Sequence, residues 1–89
     1  MTDRVSFTEH ARSEARRRGI SEEAALEVAR APEQRVAGRS GREIRQSRVL
    51  DPASGKLHLV RVVIESGQDA DTIVTVYRSS KIRKYWSER

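Results

Sequence analysis

Lys56–Glu65 is the segment that most restricts the fold. Its apolar residues occupy both parities of an extended chain, with Val60, Val62 and Ile64 on one face and Leu57, Leu59 and Val63 on the other. Side chains of a strand alternate between faces, so a strand that is apolar at both parities has to be covered on both sides. The segment therefore predicts a central strand. Arg61 interrupts its apolar run between Val60 and Val62. A charge there needs a partner or an open surface.

The flanking sequence supplies the neighbours that a central strand requires. Gln34–Ala37 reads as a weak first strand, Gly38–Gly41 as a turn and Arg42–Leu50 as a second strand with poor alternation. Asp51-Pro52-Ala53-Ser54-Gly55 is a loop, Gly67–Asp71 a turn and Thr72–Arg78 the last strand. Successive strands with short links pair as an antiparallel meander.

Upstream the pattern is helical. Ser6-Phe7-Thr8-Glu9 has the form of a capping box, opening a helix with Phe7, Ala11 and Ala15 along one stripe. Gly19 is placed to end that helix in the left-handed conformation. Ser21-Glu22-Glu23 opens a second helix with Ala24, Ala25, Val28 and Ala29 on its apolar face, and Pro32 stops it. Near the end of the chain, Ser80 is placed to cap a half-turn or short helix carrying Ile82, Tyr85 and Trp86. The expected fold class is α+β: two N-terminal helices followed by a three- to four-stranded antiparallel meander and a short C-terminal helix or tail, in a single domain over 1–89.

At 89 residues the core is small, and the chain has no cysteine to staple it. Two well-separated histidines without cysteine argue against a zinc site, and there is no Gly-rich phosphate loop, so neither a metal nor a cofactor is expected. No apolar run approaches the roughly 18–20 residues that span a bilayer, and the first residues lack the apolar stretch of a secretory signal. A cytoplasmic location without a membrane partner is the expectation.

The net charge of +5 is unevenly spread. Residues 1–33 carry six Arg against seven acids, whereas residues 34–89 carry twelve cations against six acids. A basic excess confined to the sheet half suits a polyanion or an acidic protein. It culminates in Thr72–Trp86, where an apolar strand runs into Arg78, Lys81, Arg83 and Lys84, interleaved with Ser79, Ser80, Tyr77, Tyr85 and Trp86. Fixed cations beside hydroxyls and aromatic faces suit RNA.

Two blocks, His10-Ala11-(x3)-Ala15-Arg16-Arg17-Arg18-Gly19-Ile20-Ser21 and Thr72 through Trp86, together resemble the bacterial domain-of-unknown-function family numbered 4258. Glu14 and Ala15 stand where that family usually has Arg and Met. The family in turn is distantly similar to toxin nucleases of the BrnT and RelE type, which are helices followed by an antiparallel sheet and cleave RNA without a metal. This resemblance implies a toxin–antitoxin setting. It carries over to Arg61 on the central strand, to Tyr77 and Ser80 at the end of the last strand, and to Lys81 beside them.

Metal-free cleavage needs a base, donors that stabilise the phosphorane, and an acid. Arg61, Arg78 and Lys81 are candidates for the positive field, and His10, His58, Tyr77 or Glu65 for proton transfer. The catalytic set expected from these readings is Arg61, Tyr77, Lys81 and His10, and the nucleic-acid-binding set is Arg78, Ser80, Lys81, Arg83 and Lys84. Each has a packing reading beside it: His10 as a helix-end residue, His58 at the core edge, Tyr77 and Tyr85 against the sheet. The rival expectation is a non-catalytic interaction module whose cations meet an acidic partner such as an antitoxin, or a second copy in a homodimer. The two separate on geometry, since catalysis requires Arg61, Tyr77 and Lys81 to converge.

Overall fold

The computed structural model describes residues 4–88 of the domain expected over 1–89. Its elements are β1 (Val5–Phe7), α1 (Glu9–Arg17), α2 (Glu22–Arg30), β2 (Gln34–Ala37), β3 (Glu43–Asp51), β4 (Lys56–Ser66), β5 (Asp71–Ser79) and α3 (Ile82–Tyr85). The strands form one sheet in the order β1-β5-β4-β3-β2, which puts β4 at the centre. That is the position its two-sided apolar pattern requires.

The expected meander is present as β2-β3-β4-β5, all antiparallel, but the sheet is mixed. Val5–Phe7 pairs with β5 in parallel, Val5 opposite Asp71 and Phe7 opposite Ile73. Ser6 therefore does not cap α1, and Phe7 does not belong to its stripe. Thr8 is the cap, its hydroxyl accepting from the Ala11 amide at 3.0 Å. Both Ser6 and Thr8 are hydroxyl residues with acids downstream. Pairing of the preceding residues with a distant strand decides between them.

The helices otherwise begin and end on the residues expected. Ser21 caps α2 through the Ala24 amide. Gly19 closes α1 at φ +69°, with the Gly19 amide bonding to the Arg16 carbonyl and the Ile20 amide to the Ala15 carbonyl. This reversal places Ile20 on the core, and it needs a left-handed residue. Gly19→Ala is expected to cost about 1–2 kcal/mol, read as a lower urea midpoint at unchanged slope.

The core lies between the helices and one face of the sheet, with Ala11, Ala15, Ala25, Val28 and Ala29 packed on Val60, Val62, Ile64, Ile73 and Val76. The small helix residues let the backbones approach the sheet closely. A register shift between Val63 and Ile64 leaves Val74 as an extra residue on β5. The shift reverses parity along that strand. Ile73 and Val76 both face the helices, while Thr75 and Tyr77 face the other way, so Tyr77 does not share a face with Ile73 as plain alternation predicts.

The helix side also holds a buried cation. Arg45, 6% exposed, donates to the Ala29 carbonyl at the end of α2 (2.6 Å), to Glu43 (2.6 Å) and to Asp71 at the start of β5 (3.1 Å). Burial alone pulls its guanidinium down. The hydrogen bonds and charges of Glu43 and Asp71 outweigh that and hold it above its ordinary value.

Candidate nucleic-acid interface

The face of the sheet turned away from the helices carries Gln34 of β2, Gln46 and Arg48 of β3, Leu59 and Arg61 of β4, and Tyr77 of β5, as the strand registers require. The C-terminal segment lies across it. Arg61, 7% exposed, donates from Nε to Gln46 Oε1 at 2.8 Å and from Nη1 to the Tyr77 hydroxyl at 2.5 Å. Its guanidinium carbon sits 4.4 Å from the centroid of the Tyr85 ring and 5.4 Å from that of Tyr77. Among the described residues no carboxylate lies within ion-pair distance of it. Neutral oxygens and two aromatic faces are what this buried cation has for partners.

Gln46, fully buried, extends the network. Its Nε2 donates to Gln34 Oε1 at 2.8 Å and to the Tyr85 carbonyl at 3.1 Å. Gln34 exchanges two bonds with the Ser87 backbone, so its amide pairs with the tail as a strand would. Arg48 stacks on Trp86 at 4.4 Å and is ion-paired to Glu33 at 2.9 Å. The four-residue α3 has no side-chain cap of its own. Ser80, expected to cap it, is exposed, and the Ser79 hydroxyl accepts from the Lys81 amide instead. Side chains of the sheet thus fasten a short helix that would not stand alone.

The bonds from Arg48 hold Glu33 well down, at about 2 against an ordinary 4.5. A carboxyl lowered on folding contributes stability above its unfolded value and loses it as pH falls through the folded one. The Glu33–Arg48 contribution is therefore full above about pH 4.5 and is lost on the way down to about pH 2. Glu33→Gln should flatten the acid limb of stability in that window, measured as urea midpoints near neutral pH and between the two values.

Of the expected catalytic set, the structure brings Arg61 and Tyr77 into direct contact. Lys81 lies just beyond the end of β5, exposed, at the N-cap of α3. His10 is exposed on α1, in the helix layer on the far side of the sheet from the Arg61–Tyr77 pair. His58 faces the helix side too, paired in register with Val49. Glu65 is ion-paired to Arg42 at 3.2 Å. Gln34, Gln46 and Arg48, which complete the Arg61 network, are not singled out by the sequence. The available signal was a pair of glutamines in strands, and only the register shows that they are neighbours.

The binding set is arranged differently. Arg78, Lys81, Arg83 and Lys84 are all exposed, and none lies within ion-pair distance of a described carboxylate. Arg12, Arg17, Arg18, Arg35, Arg42, Arg45 and Arg48 each have such a partner. The Lys84 ammonium is 5.3 Å from the centroid of the Tyr85 ring. Arg78 points to the helix side, and the other three follow in and around α3. Among the described residues no cluster of three or more His, Asp or Glu could hold a metal, and no helix is long and apolar enough to cross a membrane.

The family model for a domain of unknown function, DUF4258, matches residues 7–78. The chain belongs to the DUF4258 family. The match runs from the end of β1 to Arg78 in β5, so it covers α1, α2, the meander, Arg61 and Tyr77, and stops before Lys81 and α3. No curated protein and no solved structure matches the chain.

Proposed function

We propose that this DUF4258 domain binds single-stranded RNA along its C-terminal segment, without cleaving it. The observation that carries the reading is four exposed cations close together in sequence, Arg78, Lys81, Arg83 and Lys84, with no described carboxylate within ion-pair distance; the other exposed cations without such a carboxylate, Arg16, Arg30, Arg39 and Lys56, are scattered along the chain. Unneutralised cations close together in sequence suit a phosphate chain, whose binding releases counterions. Half-buried Trp86 stands beside them, its ring carrying Arg48 on one face and offering the other to a base.

Binding is favoured over cleavage because the proton-transfer groups are dispersed. His10 and His58 are on the helix side, Glu65 is ion-paired, and Tyr77 is engaged by Arg61. Arg61 and Tyr77 fit a positioning role, since they seat the segment that carries the cations. The competing proposal is metal-free RNA cleavage of the toxin-nuclease kind, and it has a direct test. A labelled single-stranded RNA incubated with the protein is expected to shift in fluorescence anisotropy and to stay intact on a denaturing gel. Induction in cells is expected to leave growth and RNA unchanged. Cleavage that Tyr77→Phe abolishes would replace binding alone by the nuclease reading. No anisotropy change, together with capture of an acidic protein partner, would replace RNA by the interaction module.

A further inference from the structure

On the helix side, the end of the sheet holds a second feature, which shares Arg78 with the RNA reading but does not rest on it. A cavity of about 230 Å³ opens between the α1–α2 junction, the β3–β4 hairpin and the end of β5. That is somewhat below the size of pockets that take drug-sized ligands, so it suits a molecule of about one ring or one branched chain. Its floor is aliphatic, made by Ile20, Ala24 and Val60, and its rim is polar, made by Asp51, His58 and Arg78.

The rim groups are not equivalent. Both oxygens of Asp51 are taken by its own loop, Oδ1 accepting from the Ala53 amide at 3.2 Å and Oδ2 from the Ser54 hydroxyl at 3.0 Å. Those bonds, with the charges of Arg78 and His58, hold its carboxyl below the ordinary value. Asp51 is therefore a carboxylate committed to the hairpin. Arg78 has no described carboxylate within 4 Å, and its guanidinium lies over Gly19, where an added Cβ would come within 3.9 Å of Nη2. The Nδ1 atom of His58 is buried without a hydrogen-bond partner. Buried polar atoms are nearly always satisfied, and an orphan in a cavity wall is the kind of group a bound molecule completes.

An aliphatic floor beneath an unpaired guanidinium selects for an apolar body and an anionic head. We infer that this cavity binds a small carboxylic acid with an aliphatic or aromatic body, its carboxylate on Arg78 and its body on Ile20, Ala24 and Val60. The planar guanidinium fork matches a carboxylate in two bonds, which gives orientation as well as affinity. The carboxylate belongs either to a free organic acid or to the C-terminal residue of a peptide.

The test is a titration followed by nitrogen–proton correlation spectra of the full chain. Phenylacetate is expected to give saturable shifts at the amides of Gly19, Ser21, His58 and Arg78. Phenylacetamide, of the same shape without the charge, is expected to bind about tenfold or more weakly. Arg78→Gln, an exposed change whose spectrum reports that the fold is kept, should weaken phenylacetate by about tenfold and leave phenylacetamide unchanged. A short peptide ending in a free Leu carboxylate, run beside its C-terminal amide, assigns the source. Tighter binding than phenylacetate points to a chain end, and weaker binding to a free acid. Equal binding of acid and amide, shifts that map away from these residues, or no saturation across the millimolar range would overturn the inference.

Discussion

Arg45→Ala should be among the most destabilising single substitutions in this domain, at about 3–5 kcal/mol. Arg45 joins three elements that are distant in sequence: the last turn of α2 through the Ala29 carbonyl, its own strand through Glu43, and the start of β5 through Asp71. Its removal leaves the Asp71 carboxylate, whose side chain is only 14% exposed, without that partner. An uncompensated carboxylate out of water costs more than the lost pair was worth, and this is the source of the asymmetry. Domains of this kind are stable by only about 5–15 kcal/mol in all, so the variant should be close to unfolding at room temperature. Chemical denaturation gives the number. Replacing both partners, Arg45→Met with Asp71→Leu, should recover much of the loss, because apolar groups of similar volume need no partner. A single variant that unfolds at the wild-type urea concentration would show that Arg45 is not the fastener its bonds suggest.

This residue also shows why the second strand was hard to read. In β3, Arg45 and Ser47 face the helices, while Gln46 and Arg48 face the C-terminal segment, so polar side chains fill both layers and alternation vanishes. Each is admitted to its layer by a specific bond: Arg45 to Ala29, Ser47 to the Glu33 amide, Gln46 to Arg61. Such bonds depend on register and on contacts across many residues. The local signals were plain by contrast. Ser21 and Gly19 mark helix ends through bonds within a turn, and the two-sided apolar pattern of β4 marks the centre of the sheet. The strand at Val5–Phe7 escaped because three residues carry little pattern and their partner is β5, more than sixty residues away.

The candidate site divides along the same line. Arg61 stood out as a charge in an apolar run, and the structure gives it buried partners. Their identity rests on cross-strand register, which the composition of β2 and β3 does not reveal. The exposed cations of Arg78–Lys84 were legible as a cluster. Their freedom from ion pairs was not, because it depends on where the acids of the whole chain lie in space. Glu14, Glu22, Glu33, Glu43, Glu65 and Asp71 are taken by Arg12, Arg17, Arg18, Arg35, Arg42, Arg45 and Arg48, and no described carboxylate lies within ion-pair distance of Arg78, Lys81, Arg83 or Lys84.

The second large effect follows from that separation. Neutralising the segment as Arg78→Gln, Lys81→Gln, Arg83→Gln and Lys84→Gln should remove most of the RNA affinity. It should leave the fold nearly unchanged, since these side chains are exposed and surface changes of this kind usually cost less than about 0.5 kcal/mol each. Tyr77→Phe should act in the opposite way. It removes the oxygen that accepts from Arg61, costs about 1 kcal/mol of stability, and moves RNA affinity only as far as it loosens the seat of α3.

Salt dependence is the decisive measurement of how this domain holds RNA. With four cations on the phosphate chain, the logarithm of affinity should fall against the logarithm of salt with a slope of about −3, which is roughly a 50-fold loss between about 50 and 200 mM. In the quadruple variant the residual slope should be near zero. A flat response in the wild-type protein, or a quadruple variant that binds with the wild-type slope, would contradict the account.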